Sequence, residues 1–66
     1  MINLIDGYVD VTREFNNVPD GYVVWYEDST DEYNVINVVD EFTELNTQNE
    51  KEVQKFFNDI IKLQNK

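Results

Sequence analysis

One apolar stripe constrains this chain more than anything else in it. Val53, Phe56, Phe57, Ile60, Ile61 and Leu63 or Gln64 recur at the i, i+3, i+4, i+7, i+8 spacing of an amphipathic helix. A helix this short draws its stability from whatever covers its apolar face. Such a stripe is more often core than docking surface, since the sheet before it has nothing else to cover it, and it is assigned here to the core. Residues 1–66 therefore read as a single domain, with one core near the lower size limit for unaided folding. Thr47-Gln48-Asn49-Glu50 fits a capping box, with Thr47 accepting from the Glu50 N–H and the Glu50 carboxylate reaching back. Glu50 and Glu52 in the first turn, and Lys62 and Lys66 near the end, suit the helix dipole.

The preceding residues are of β type. Residues 8–15 alternate, with Val9, Val11 and Phe15 on one face and Tyr8, Asp10, Thr12 and Glu14 on the other. Pro19-Asp20-Gly21 supplies a turn, Gly21 taking the left-handed exit. Residues 22–27, Tyr-Val-Val-Trp-Tyr-Glu, are β-branched or aromatic at nearly every position and form a strand. Asp28-Ser29-Thr30-Asp31 makes a second turn, and a third strand follows over about residues 32–39. Ile2, Leu4 and Ile5 either add a short edge strand or cap the core. The expected fold is α+β, a three-stranded antiparallel meander with one C-terminal helix across one face.

Which face the helix covers decides where the tyrosines go. With Val9, Val11, Phe15, Val23 and Trp25 inside, Tyr8, Tyr22 and Tyr26 share an open face with Asp10 and Glu14. Tyr33 joins them if Ile36 and Val38 are also inside. Val24 and Val35 compete with Val23 and Ile36 for the core, and a one-residue slip exchanges the two faces.

The charge is strongly segregated. Residues 1–47 hold eleven carboxylates against Arg13 alone, a net of -10, whereas residues 48–66 hold three against four lysines, a net of +1. A total of -9 disfavours binding to DNA, RNA or an anionic membrane surface. Without cysteine there is no disulfide, thiolate zinc site, iron–sulfur cluster or cysteine nucleophile. Without histidine the usual general base and commonest transition-metal ligand are missing. Two glycines make no phosphate loop, and Ser29 has no base to activate it. The Asp28–Glu32 segment lacks the ligand spacing and glycine of an EF-hand. No enzyme activity, metal or cofactor is expected. No basic, apolar leader opens the chain and no apolar run could span a bilayer, so a cytoplasmic location is expected.

Carboxylates interleaved with tyrosines have the composition of a recognition surface, since tyrosine gives rigid contact area with a polar tip. Tyr8, Asp10, Glu14, Tyr22, Tyr26, Glu27, Asp28, Asp31, Glu32 and Tyr33 are the candidate contact residues. In size and charge the chain resembles the small DNA-mimic inhibitors that phages and mobile elements direct at nucleases, anti-CRISPR proteins among them. It is similar in the same way to acidic antitoxins and immunity proteins. The resemblance implies an intracellular inhibitor whose partner is a basic nuclease or nucleic-acid-binding protein. The alternative is a small structural domain that self-associates through a strand edge or its tyrosine face.

Overall fold

In the computed structural model, which describes residues 7–64, four strands and one helix follow in simple order. Strands β1 (Tyr8–Asp10), β2 (Tyr22–Glu27), β3 (Glu32–Asn37) and β4 (Phe42–Thr47) form an antiparallel meander in the order β1-β2-β3-β4. Helix α1 (Glu50–Gln64) packs on one face of it. The α+β class, the meander and the C-terminal helix are those expected from the sequence. The fourth strand is an addition, and it lies after the three expected strands. The Ile2–Ile5 edge strand falls outside the described residues.

Two strands are shorter than their alternation suggests, and polar side chains close to each end account for it. β1 stops at Asp10, whose carboxylate accepts from the Thr12 N–H at 2.9 Å and the Thr12 hydroxyl at 2.6 Å. This local bond competes with the ladder and turns Thr12–Glu14 into a 3-10 helix. β3 stops at Asn37, whose side-chain oxygen accepts from the backbone N–H of Val39 and Asp40 at 3.0 and 3.1 Å. Val38 and Val39 thus enter a turn instead of extending the strand.

The β2–β3 and β3–β4 loops are built alike. Glu27 pairs with Glu32 and Asn37 with Phe42, so each loop holds four residues, and each ends on a left-handed residue. Asp31 and Glu41 both have φ 58. Gly21 at φ 89 takes the left-handed exit expected of it, close enough to Val39 that a side chain there would meet it.

The helix starts two residues later than its sequence signal. Asn49, not Thr47, caps it, accepting from the Lys51 N–H at 2.9 Å. Thr47 ends β4, and its hydroxyl accepts from the Asn49 N–H and donates to the Glu52 carboxylate at 2.6 Å. This is not the capping box expected of Thr47 and Glu50; the Thr47 hydroxyl instead links strand to helix through the Glu52 carboxylate.

The core settles which face is covered. Val24, Val35, Val53 and Phe57 are completely buried together, with Val11, Phe15, Val18, Tyr22, Tyr33, Leu45 and Phe56 around them. The helix therefore covers the Tyr22–Val24–Tyr26 face of β2, and the expectation that Val23 and Trp25 face it is corrected. The physical reason is shape: two β-branched valines opposite each other in register leave room for Phe57, which the Trp25 indole would fill. Trp25 and Ile36 lie on the other face and are nearly buried there, the Trp25 ring 6.0 Å from that of Tyr8. Of the helical stripe, Leu63 escapes the core and is 68% exposed.

Removing the Phe57 ring costs about 3–5 kcal/mol. A chain this size has roughly 3–10 kcal/mol in total, so Phe57→Ala removes about a third or more of its stability, read as a large drop in the urea midpoint by circular dichroism at 25 °C. Leu63→Ala changes the urea midpoint little, by about 0.5 kcal/mol or less. Glu41→Gly, which removes a side chain from left-handed backbone, raises stability by about 0.5–1 kcal/mol in the same urea titration.

Candidate functional site

The ten candidate residues separate into three groups. Register puts Tyr8, Glu27 and Glu32 in one cross-strand row on the face away from the helix, with Asp10 in the next row opposite Trp25. Tyr22, Tyr26 and Tyr33 lie on the helix side, Tyr22 and Tyr33 against the core. Asp28 and Asp31 lie in the β2–β3 loop, and Glu14 in the 3-10 helix. The expectation of four tyrosines on one open face is therefore corrected. Period-two alternation carried three of them to the covered face once Val24 and Val35 took the core.

Instead, every tyrosine is tied to a carboxylate. The Tyr8 hydroxyl donates to Glu27 at 3.0 Å, Tyr22 to Glu44 at 2.9 Å, Tyr26 to Asp31, and Tyr33 to Glu50 at 3.5 Å. Glu27 also accepts from Ser29 at 3.1 Å, and Glu44 from the Asn37 amide at 2.9 Å. Each phenol is held above its ordinary pKa. For Tyr8 the bond to Glu27 is the chief cause, followed by burial. The bond to Asp31 pushes Tyr26 up to about 12. For Tyr22 burial leads, then the bond to Glu44. For Tyr33 burial leads, followed by the negative charges of Glu50, Glu14 and Asp31.

These ties place most of the candidate residues at one end of the sheet. The β2–β3 hairpin concentrates Glu27, Asp28, Asp31 and Glu32 within six consecutive residues. The start of α1 is fixed beside them, because the Gln48 amide donates to the Thr30 carbonyl at 3.1 Å. Glu50 reaches Tyr33 there, and the charge of Glu14 is felt at the same phenol. Tyr22 lies at the opposite end of the sheet, with Glu44, and Asp10 is occupied by its own Thr12 turn. Sequence reasoning missed Glu44 and Glu50. Glu50 reads as part of the helix cap, and Glu44 sits in a strand whose alternation the bulge breaks.

Little on the surface neutralises this end. Among the described residues one ion pair forms, Lys55 with Asp59 at 3.5 Å, on the exposed side of the helix. Glu27 and Glu32 face each other across the ladder, an arrangement that costs several tenths of a kcal/mol. No group of three or more acidic side chains among the described residues converges as a metal would require. The cluster is thus a set of separated charges on one hairpin. No helix among the described residues is long and apolar enough to cross a membrane. Comparison with protein-family models, curated proteins and solved structures finds no match to this chain.

The tyrosine ties give a pH prediction. A phenol held above its unfolded value of 10.0 stabilises the fold fully below that pH. That contribution is lost as pH rises from about 10 towards 12 and the folded phenol ionises. Stability measured in urea should therefore fall above pH 10, and Tyr26→Phe should remove the last tyrosinate to appear at 295 nm. The like-charge pair gives another: Glu32→Lys, which sets opposite charges across the ladder, raises stability by about 0.5–1 kcal/mol at low salt.

Proposed function

We propose that the chain is a cytoplasmic, non-enzymatic binding protein that inhibits a basic partner by occupying its nucleic-acid-binding surface. The carrying observation is the un-neutralised set of Glu27, Asp28, Asp31 and Glu32 on a hairpin braced by Tyr8 and Tyr26. Duplex DNA presents one negative charge per about 1.7 Å of axis. Residues in strands rise about 3.3 Å each, and successive ones point to opposite faces. A short hairpin with four carboxylates offers lysines and arginines a comparable local density of anionic oxygens. The hydroxyl ties hold Glu27 and Asp31 in place, so little ordering is left to be done on binding. Opposite charge then speeds encounter and makes affinity fall with salt.

A phage or mobile element gains from such a protein as an anti-defence inhibitor, for example an anti-CRISPR protein, and a toxin locus gains from it as an antitoxin. Both are versions of the same physical act, the sequestering of a cationic surface.

The test uses Asp28→Lys with Glu32→Lys. Asp31 is left in place because it holds Tyr26, and Glu32→Lys relieves a repulsion, so the double variant keeps its fold. Immobilised wild-type protein should capture basic nucleic-acid-binding proteins or nucleases from the source cell and release them with salt. The double variant should bind the recovered partner at least about tenfold more weakly in calorimetry. Equal binding by both proteins overturns the proposal.

A further inference from the structure

β4 is an open margin of the sheet. It pairs with β3 on one side, and among the described residues nothing pairs with its other side. Its sequence, Phe-Thr-Glu-Leu-Asn-Thr, has neither the lysine nor the proline that commonly blunts such an edge. The register shift between Val35 and Ile36 leaves Glu44 as the extra residue, so Leu45–Thr47 is the longer of the two paired stretches of β4, with Phe42 and Thr43 paired beyond the bulge. Beside that stretch, between β4 and α1, runs a groove of about 320 Å³. Leu45 and Phe56 give it an apolar floor, and Glu52, Asp59 and Lys55 form its rim.

These features meet in one geometry. A strand added to β4 would lie about 4.8 Å outside it and direct every second side chain over the groove. Side chains on that face recur about 6.8 Å apart, whereas Glu52 and Asp59, seven residues apart, lie about 10 Å apart along the helix. Arginine or lysine stems are long enough to cross the floor and still place their charged ends on both carboxylates. We infer that the β4 edge and its groove receive an extended, arginine- or lysine-bearing segment of the partner by strand addition. This rests on the reading above only in taking the partner to be cationic. It assigns the binding mode to a surface that the candidate residues do not include.

The occupant is a basic segment and not a second copy of this chain, because two copies at net charge -9 would bring the carboxylates of both edges together. Lys55, already paired with Asp59, competes with the incoming cation. Its removal should therefore strengthen binding, a sign that a purely structural role for the groove does not give.

The probe is a short synthetic peptide alternating arginine with threonine, measured by calorimetry and by amide NMR at about 150 mM salt. Two control peptides carry N-methyl groups on alternate amides, one in each register, which keeps charge and side chains but removes strand pairing. The parent peptide should shift the Leu45, Asn46 and Thr47 amides. At least one control should bind about tenfold more weakly. Glu52→Gln with Asp59→Asn should weaken the parent several-fold, and Lys55→Gln should tighten it. Equal binding of all three peptides, lost in the Asp28→Lys, Glu32→Lys variant, overturns strand addition and leaves the acidic-hairpin proposal standing. Failure of every peptide to bind a protein that still captures its basic partner also overturns it. So does a dimer in sedimentation that shifts the same three amides without peptide.

Discussion

The seating of Phe57 and Val53 against Val24 and Val35 governs the rest of the molecule. Among the described residues these four are the largest fully buried side chains, and they form the centre of the core. Their register fixes the facing of both central strands. Tyr22 and Tyr33 are thereby brought to the margins of the core, where the ring is half-buried and the hydroxyl emerges. A half-buried ring with an emergent hydroxyl needs an acceptor at the rim. In so acidic a chain the acceptor is a carboxylate. The ties of Tyr22 and Tyr33 are thus a consequence of the core.

Those ties bear on how a domain with so few cations keeps its acids from disrupting it. A carboxylate bonded to a neutral hydroxyl keeps its full charge, so tyrosine pairing orders the acids without cancelling them. An ion pair would order and neutralise at once. Glu27, Asp31, Glu44 and Glu50 are held in this way, and Asp10 and Glu52 are held by threonine hydroxyls. The result is a surface both negative and positioned, which mixed-charge solubility alone does not require.

Much of this was legible in the residues. β2, the Asp28–Asp31 turn, the helical stripe and the left-handed Gly21 each follow from a local rule that the fold leaves intact. β4 was not legible, for a physical reason. Its two apolar residues, the half-exposed Phe42 and the core-packed Leu45, are three apart because the bulge inserts Glu44 between them, and a period of two is lost. The helix start was misplaced because Thr47 and Glu50 have the capping-box spacing, whereas the cap is Asn49 with Glu52 three residues on. The facing of β2 could not be decided by alternation, since Tyr22-Val-Val-Trp-Tyr offers apolar residues to both sides. Only packing against Phe57 distinguishes them. The candidate site was legible as composition, because the carboxylates of one hairpin are adjacent in sequence. Its division between two faces was not.

The distinction between tied and untied acids also separates stability from recognition. Asp31 and Glu44 hold tyrosines, so reversing them disturbs the fold and any binding together. Asp28 and Glu32 hold no such partner, and on the proposed reading they act mainly on what approaches from outside. Salt acts on the two roles with opposite sign. Screening relaxes the Glu27–Glu32 repulsion and favours the folded state, while it weakens attraction to a cationic partner. If the acids served only solubility, added salt would raise stability with no loss elsewhere. On the proposed reading, stability rises and binding weakens with the same salt, because the charges are arranged for a partner at some expense to the fold.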